Sequence, residues 1–153
     1  MRAVAGDEAD STADIEATAL VPATPDEVFA FLRDLRNHWQ VADRHVSVVS
    51  LDDSGDGGVV RLRGPVGLRR TVRTHVSAAR EPRLILGVAE LGDGTRALVS
   101  WTLAGRMNQT RVRLAADVER ATPLDRLLLA LGGRIWMRRM FRHTLARLAD
   151  RFA

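Results

Sequence analysis

The sequence predicts an α+β fold in which one strand, two short helices and six further strands precede a long C-terminal helix. Three observations support this prediction. Strand-like runs with apolar residues at every second position are separated by short turns rich in Gly, Pro, Asn and Asp. Two Thr-Pro pairs, at residues 24–25 and 122–123, are typical of helix starts. An apolar stripe at helical spacing then runs to the C-terminus. Because short links join antiparallel neighbours, whereas a parallel crossover needs about a dozen residues, the seven strands are expected to form one antiparallel sheet.

The first strand and the two helices are predicted from residue 14 onward. Apolar side chains alternate along residues 14–21, as in a half-buried strand. The run Thr24-Pro25-Asp26-Glu27 then supplies an N-cap hydroxyl, a proline at the first helical position and a glutamate that closes a capping box. A helix is therefore expected over residues 25–35. Asn37-His38-Trp39 is expected to break it and to lead into a second helix ending near Asp43.

The pattern of the next 75 or so residues predicts strands, and that of the remaining residues predicts a helix. The strand runs, each closed by turn residues, are 45–51, 59–63, 68–78, 83–91, 96–104 and 110–120. The last helix is expected to start at Thr122-Pro123, where a second capping signal stands. Gly132-Gly133 interrupts its apolar stripe, and the apolar residues before and after fall on different faces, so a bend or break is expected there.

Composition narrows the chemistry available to this chain. All 23 basic residues are Arg, and Lys, Cys and Tyr are absent. The sequence therefore excludes Schiff bases, thiol nucleophiles, disulfides, zinc-thiolate sites and phenol acid/base chemistry. Its four histidines show no helical pair at metal-ligand spacing, so neither a metal site nor a cofactor is predicted.

Residues 1–13 are small, acidic and aperiodic, and a disordered tail is expected there, followed by a single domain over residues 14–153. The acidic start is unlike a signal peptide, and no apolar run approaches the length of a bilayer span. We therefore expect a cytoplasmic protein, monomeric or homodimeric. Its formal net charge is +4, and the basic excess falls mostly within residues 121–153.

The order of elements and several stretches resemble the START-like helix-grip superfamily, in particular its polyketide cyclase/dehydrase and lipid-transport (SRPBCC) branch. The resemblance covers Asp14 to Phe152. The stretches that carry it are residues 21–34, Asn37-His38-Trp39, residues 58–64, residues 109–112 and residues 124–148. It implies a curved sheet that grips the long helix, which packs across it, and a cavity between them for an apolar or aromatic molecule.

The residues themselves allow such a cavity. Apolar phases of the strands and one face of the last helix supply candidate walls, and Met suits a wall that must adapt to its guest. The candidate ligand-binding residues are Phe31, Trp39, Arg70, Val72, Leu86, Val88, Val99, Trp101, Leu103, Met137, Met140, Phe141 and Thr144.

Catalysis in such a cavity would need polar groups, and the candidates are Arg70, His38 and His45. Arg70 shares its strand phase with Leu68 and Val72, so its guanidinium is expected inside, where it could bind a carboxylate or stabilise an enolate. An ion-paired or snorkelling Arg70 is the alternative. The sequence thus predicts a protein that binds or carries a small hydrophobic molecule, and it leaves cyclase or dehydratase activity open.

A second hypothesis is an interaction module whose Arg-rich last helix docks on an acidic partner, RNA or a membrane surface. Most of these arginines fall outside the apolar stripe, which is typical of a solvated face. No stacking-aromatic RNA motif accompanies them, so nucleic acid is not the expected partner.

Overall fold

The structure of the protein is a computed structural model that describes residues 13–42, 44–64, 67–92 and 94–153. The tail predicted over residues 1–13 lies outside the described residues, Ala13 excepted.

Seven antiparallel strands form one sheet in the order β1-β7-β6-β5-β4-β3-β2. This architecture confirms the predicted α+β class. The elements along the chain are β1 (Ile15–Val21), α1 (Pro25–Arg33), α2 (Leu35–Val41), β2 (Val46–Leu51), β3 (Gly57–Arg63), β4 (Arg69–Arg80), β5 (Leu84–Leu91), β6 (Thr95–Arg106), β7 (Gln109–Arg120), α3 (Pro123–Leu128) and α4 (Arg134–Arg151).

The first helix starts where the sequence predicts and ends earlier. The hydroxyl of Thr24 accepts a hydrogen bond from the amide of Glu27 at 3.3 Å, which caps α1. The prediction that α1 runs to residue 35 is wrong, because Asp34 adopts an extended backbone and its carboxylate caps α2, accepting from the amide of Arg36 at 2.9 Å. The side chain of Arg36 also donates to this carboxylate and lowers the pKa of Asp34 to about 2.

The bend in the C-terminal helix lies at the predicted glycines. Leu129–Gly133 form a kink between α3 and α4, in which Leu131 and Gly132 leave the helical conformation and Gly132 has a φ of 115°. Such a backbone conformation favours glycine, since a Cβ would be strained there. Among the described residues, no helix combines the length and the hydropathy that a bilayer crossing requires.

The core lies between the sheet and α1, α2 and α4. The last helix buries one face, formed by Met140, Phe141, Leu145 and Leu148. These side chains belong to one cluster with buried residues of β1 and β7, among them Val112. Because α4 packs mainly against β1, it covers β3, β4 and β5 less closely.

Candidate ligand cavity

A cavity of about 180 Å³, partly open to solvent, lies between the sheet and helices α2 and α4. Its walls come from six of the seven strands and from both helices. The lining residues are Leu35, His38, Trp39, Ala42, Val46, Val60, Leu62, Val72, Thr74, His75, Val76, Ile85, Gly87, Ala89, Val99, Trp101, Leu114, Met140, Phe141 and Thr144.

Strand alternation explains the sheet side of this lining. Successive side chains of a strand point to opposite faces, so the lining of β5 consists of Ile85, Gly87 and Ala89. In register beside them on β4 lie Val76, opposite Gly87, and Thr74, opposite Ala89. Two of the three β5 positions carry little or no side chain, which leaves room above the sheet.

The lining is almost wholly apolar. Its side-chain polar groups are the hydroxyls of Thr74 and Thr144, the imidazole of His38 and the indoles of Trp39 and Trp101. His75 also borders the cavity, but it is an exposed residue that pairs with Val88 on the other face of the sheet. No carboxylate or guanidinium is present among the described residues that form the wall. Transfer of an unpaired charge into such surroundings is strongly unfavourable, so the cavity favours an uncharged guest.

His38 is buried on α2 and forms part of the cavity wall. Burial lowers its pKa to about 4, although its hydrogen bond to the carbonyl oxygen of Leu32 opposes the shift. Because a carbonyl only accepts, Nε2 of His38 carries the hydrogen of this bond. The ring also packs edge-on against Trp101 with centroids 5.2 Å apart. His38 is therefore neutral near physiological pH and is held by its backbone partner.

Trp39 contains a buried polar atom that lacks a hydrogen-bond partner in the described chain. Its indole Nε1 is buried and has no hydrogen-bond partner within the described part of the chain. A buried donor without an acceptor costs roughly 1–3 kcal/mol, so buried indoles usually have one. Trp39 thus lines the cavity and contains, enclosed within the protein, a donor that nothing in the described chain satisfies.

The cavity brings together several residues that the sequence nominated. Those found in its wall are His38, Trp39, Val72, Val99, Trp101, Met140, Phe141 and Thr144. They come from four elements far apart in sequence, α2, β4, β6 and α4.

Leu86 and Val88 do not line the cavity, because the face of β5 that meets the cavity consists of Ile85, Gly87 and Ala89. The predicted inward phase of this strand is wrong by one residue. Val88 pairs in register with His75, and Leu86 with Ala78, on the side opposite Gly87. Both faces of β5 carry apolar residues, so alternation alone could not distinguish them.

Four further candidates lie elsewhere. Phe31 packs edge-on against Phe152 at 5.7 Å, with the guanidinium of Arg151 5.0 Å above its ring. Leu103 and Met137 pack in the hydrophobic core without reaching the cavity wall. His45 precedes β2, and its ring contacts Trp136 at 5.6 Å. None of these side chains is positioned to touch a guest in the cavity.

Arg70 is ion-paired instead of facing a ligand. Both of its terminal nitrogens donate to the carboxylate of Asp125 on α3, Nη2 to Oδ2 at 2.8 Å. The same carboxylate accepts from the hydroxyl of Thr95, and the amide of Asp125 donates to Oγ1 of Thr122 at 3.2 Å. Arg70 does share the inward phase of β4, but this partner holds its guanidinium outside the cavity wall. The alternative of an ion-paired arginine therefore describes the structure.

The Asp125 carboxyl responds to two opposing effects. Burial would raise its pKa, but the hydrogen bonds from Thr95 and Arg70 leave it lowered. The group is therefore ionised near neutral pH, and it ties the start of α3 to β4 and β6.

Other lining residues were not predicted from the sequence. They are Leu35, Ala42, Val46, Val60, Leu62, Thr74, His75, Ile85, Gly87, Ala89 and Leu114. The alternation of Val60 and Leu62 was a usable signal for β3. The small residues carry no such signal, since they matter only for the space that they leave. In the described chain, no three His, Asp or Glu side chains are grouped as metal ligands.

Several solved structures have the same fold. The protein TTHA0849 from Thermus thermophilus has a TM-score of 0.69 and 20% identity, over 90% of this chain and 95% of that one. The KanY protein has a TM-score of 0.72 and 18% identity, over 90% and 94%. A START superfamily protein from Mycobacterium smegmatis has a TM-score of 0.62 and 15% identity, over 90% and 95%. The architecture is therefore the START-like helix-grip fold.

The family follows from the sequence itself. The model of the polyketide cyclase / dehydrase and lipid transport family matches residues 12–153. The chain belongs to this family, which confirms the predicted resemblance. No curated protein matches it. Family and fold together define a hydrophobic-ligand-binding architecture.

Proposed function

We propose that the protein binds a small, uncharged molecule, consisting mainly of one aromatic ring, in the cavity between the sheet and helices α2 and α4. The observation that carries this proposal is the wall itself, which is nearly all apolar and contains no carboxylate or guanidinium among the described residues. Such a wall makes dispersion contacts with an aromatic ring, but it has no group that compensates the desolvation of an ion.

The size of the cavity restricts the guest further. About 180 Å³ is below the roughly 300–1,000 Å³ of sites for drug-sized ligands. It is close to the roughly 150 Å³ of an engineered apolar cavity that takes up benzene. A single substituted ring fits this space better than a fused polycyclic molecule or a long acyl chain.

Trp39 adds a preference within that class. The indole donor of Trp39 lacks a partner in the described chain, and rotation of the ring toward the cavity would let a guest's acceptor, such as a ketone oxygen, satisfy it. We therefore favour an aromatic ketone or a similar neutral acceptor over a plain hydrocarbon.

The wall supports binding more than catalysis. An enolate-forming cyclase or dehydratase needs a group that stabilises negative charge and one that moves a proton. Arg70 is bound to Asp125, and burial lowers the pKa of His38 to about 4, so neither is arranged for these roles. A carrier or sequestering protein needs no such groups.

Calorimetric titration with three compounds of similar size tests this proposal. Acetophenone is neutral with an acceptor, ethylbenzene is neutral without one, and benzoate is charged. Acetophenone is expected to bind most tightly, ethylbenzene severalfold more weakly and benzoate at least tenfold more weakly. Benzoate binding as well as acetophenone, or no binding of either neutral compound, would contradict the proposal.

Two cavity-filling variants locate the binding site. Ala89→Phe on β5 and Thr144→Phe on α4 fill the cavity from opposite walls, and each should weaken acetophenone binding at least tenfold. The matched control is Ala78→Phe, at an exposed position of β4, which should leave binding unchanged. Unfolding curves of all three variants show whether a loss reflects the cavity or the fold. Full binding by folded variants at both walls would place the site elsewhere.

A further inference from the structure

A row of large aliphatic side chains lies exposed along α3 and the start of α4. Leu124, Leu127, Leu131 and Ile135 are 57%, 53%, 74% and 63% exposed. Leu124 and Leu127 lie on α3, Leu131 lies in the bend, and Ile135 lies in the first turn of α4, so the four follow one another along this segment of the chain. We call these four residues the apolar ridge. Single exposed leucines are common, whereas four large exposed aliphatic side chains in one short segment are a candidate interaction surface.

Arginines continue the ridge along α4. Arg138, Arg139 and Arg142 follow Ile135 by three, four and seven residues, on the same side of the helix. Within the described chain, none of the three forms an ion pair. The surface is thus apolar at one end and basic at the other.

A polar cleft of about 330 Å³ flanks the ridge. Arg120, Arg126 and Arg134 line it, and the last two precede ridge residues in the sequence. Its two carboxylates are already engaged: Asp14 accepts from the amide of Val118 at 2.8 Å, and Glu119 binds Arg96 at 2.8 Å. The three arginines have no ion-pair partner in the described residues, so the cleft favours an anion.

We propose that the apolar ridge and its arginines dock on a membrane containing anionic phospholipid. The aliphatic side chains would enter the boundary between headgroups and acyl chains, and the arginines would contact lipid phosphates. This proposal does not depend on the cavity being occupied.

Charge favours this occupant over two others. A second copy of the chain, packed ridge to ridge, would bring two arginine-rich surfaces together and repel. Nucleic acid would use the arginines but would leave the aliphatic side chains in water. An anionic bilayer satisfies both parts of the surface at once.

Co-sedimentation of the full chain with vesicles tests the proposal. Vesicles of phosphatidylcholine containing one-third phosphatidylglycerol are expected to bind the protein, and vesicles of phosphatidylcholine alone to bind it at least tenfold more weakly. Leu127→Gln with Leu131→Gln should reduce partitioning at least tenfold. Arg126→Gln and Arg134→Gln should each cost about fivefold, and added salt should weaken binding.

Matched controls isolate the surface. Leu98→Gln replaces a leucine that is 40% exposed on the sheet, and Arg106→Gln replaces an exposed arginine on β6; neither should change partitioning. Absence of wild-type binding, or equal losses in ridge and control variants, would overturn the proposal. So would sedimentation of the free protein as a dimer that the double ridge variant converts to monomers. Acetophenone titration of that variant should be unchanged, which separates this test from that of the cavity.

Discussion

Asp125→Ala is expected to lower the free energy of unfolding by about 3 kcal/mol, at the low end of the range for breaking a buried ion pair. The Asp125 side chain is 8% exposed and that of Arg70 is 23% exposed. Removing the carboxylate leaves a largely enclosed guanidinium without its partner and takes the acceptor from Thr95. It also frees the start of α3 from the sheet.

Urea unfolding of wild type and variant measures this effect. The control is Asp56→Ala, which removes an ion pair of similar length, 2.9 Å to Arg33, between side chains that are 51% and 44% exposed. Exposed pairs contribute about 0–1 kcal/mol, so this variant should be nearly as stable as wild type. Equal losses in the two variants would show that burial of the Asp125 pair contributes nothing.

Lowering the pH from about 7.5 to about 5 is expected to reduce the free energy of unfolding by about 2 kcal/mol, through His38. Burial lowers the pKa of His38 from 6.5 to about 4 in the folded protein. Between those values the unfolded chain binds the proton and the folded one does not. Stability therefore rises with pH across this window and falls as the solution is acidified.

His38→Gln tests the assignment, because glutamine keeps an N–H donor for the Leu32 carbonyl and does not titrate there. The variant should unfold with a free energy that changes little over the same pH range. The lowered pKa of Asp34, about 2, lies below the window and adds no slope within it. A variant as pH-dependent as wild type would assign the effect to another group.

Local features of the sequence account for most of the fold. The capping run at Thr24, the paired glycines at 132 and 133, and the turn residues between strands each act over a few residues, so their outcome can be predicted without knowing the rest of the chain. The main local error was the length of α1. Asp34 ends α1 because its side chain caps α2, and an aspartate can either continue a helix or bind a neighbouring backbone amide in this way.

The residues of the candidate site could be predicted from the sequence only in part. Trp39, Trp101 and Phe141 were identifiable because large apolar side chains follow the period of their elements. Leu86 and Val88 were assigned to the wrong face, since β5 is apolar on both sides and only its register with β4 decides which side faces α4. Arg70 lies in the inward phase of β4, but its guanidinium binds Asp125, 55 residues away in sequence, and is not part of the cavity wall.

The sequence by itself determined the class of fold, the family and the chemistries that absent residue types exclude, because these depend on composition and on patterns within single elements. Only the tertiary structure decided that Arg70 is bound to Asp125, that His38 is buried and neutral, and that small residues of β5 leave a cavity of about 180 Å³. Ion pairing, desolvation and empty space arise between elements that meet only after folding. No pattern along one strand or helix records them.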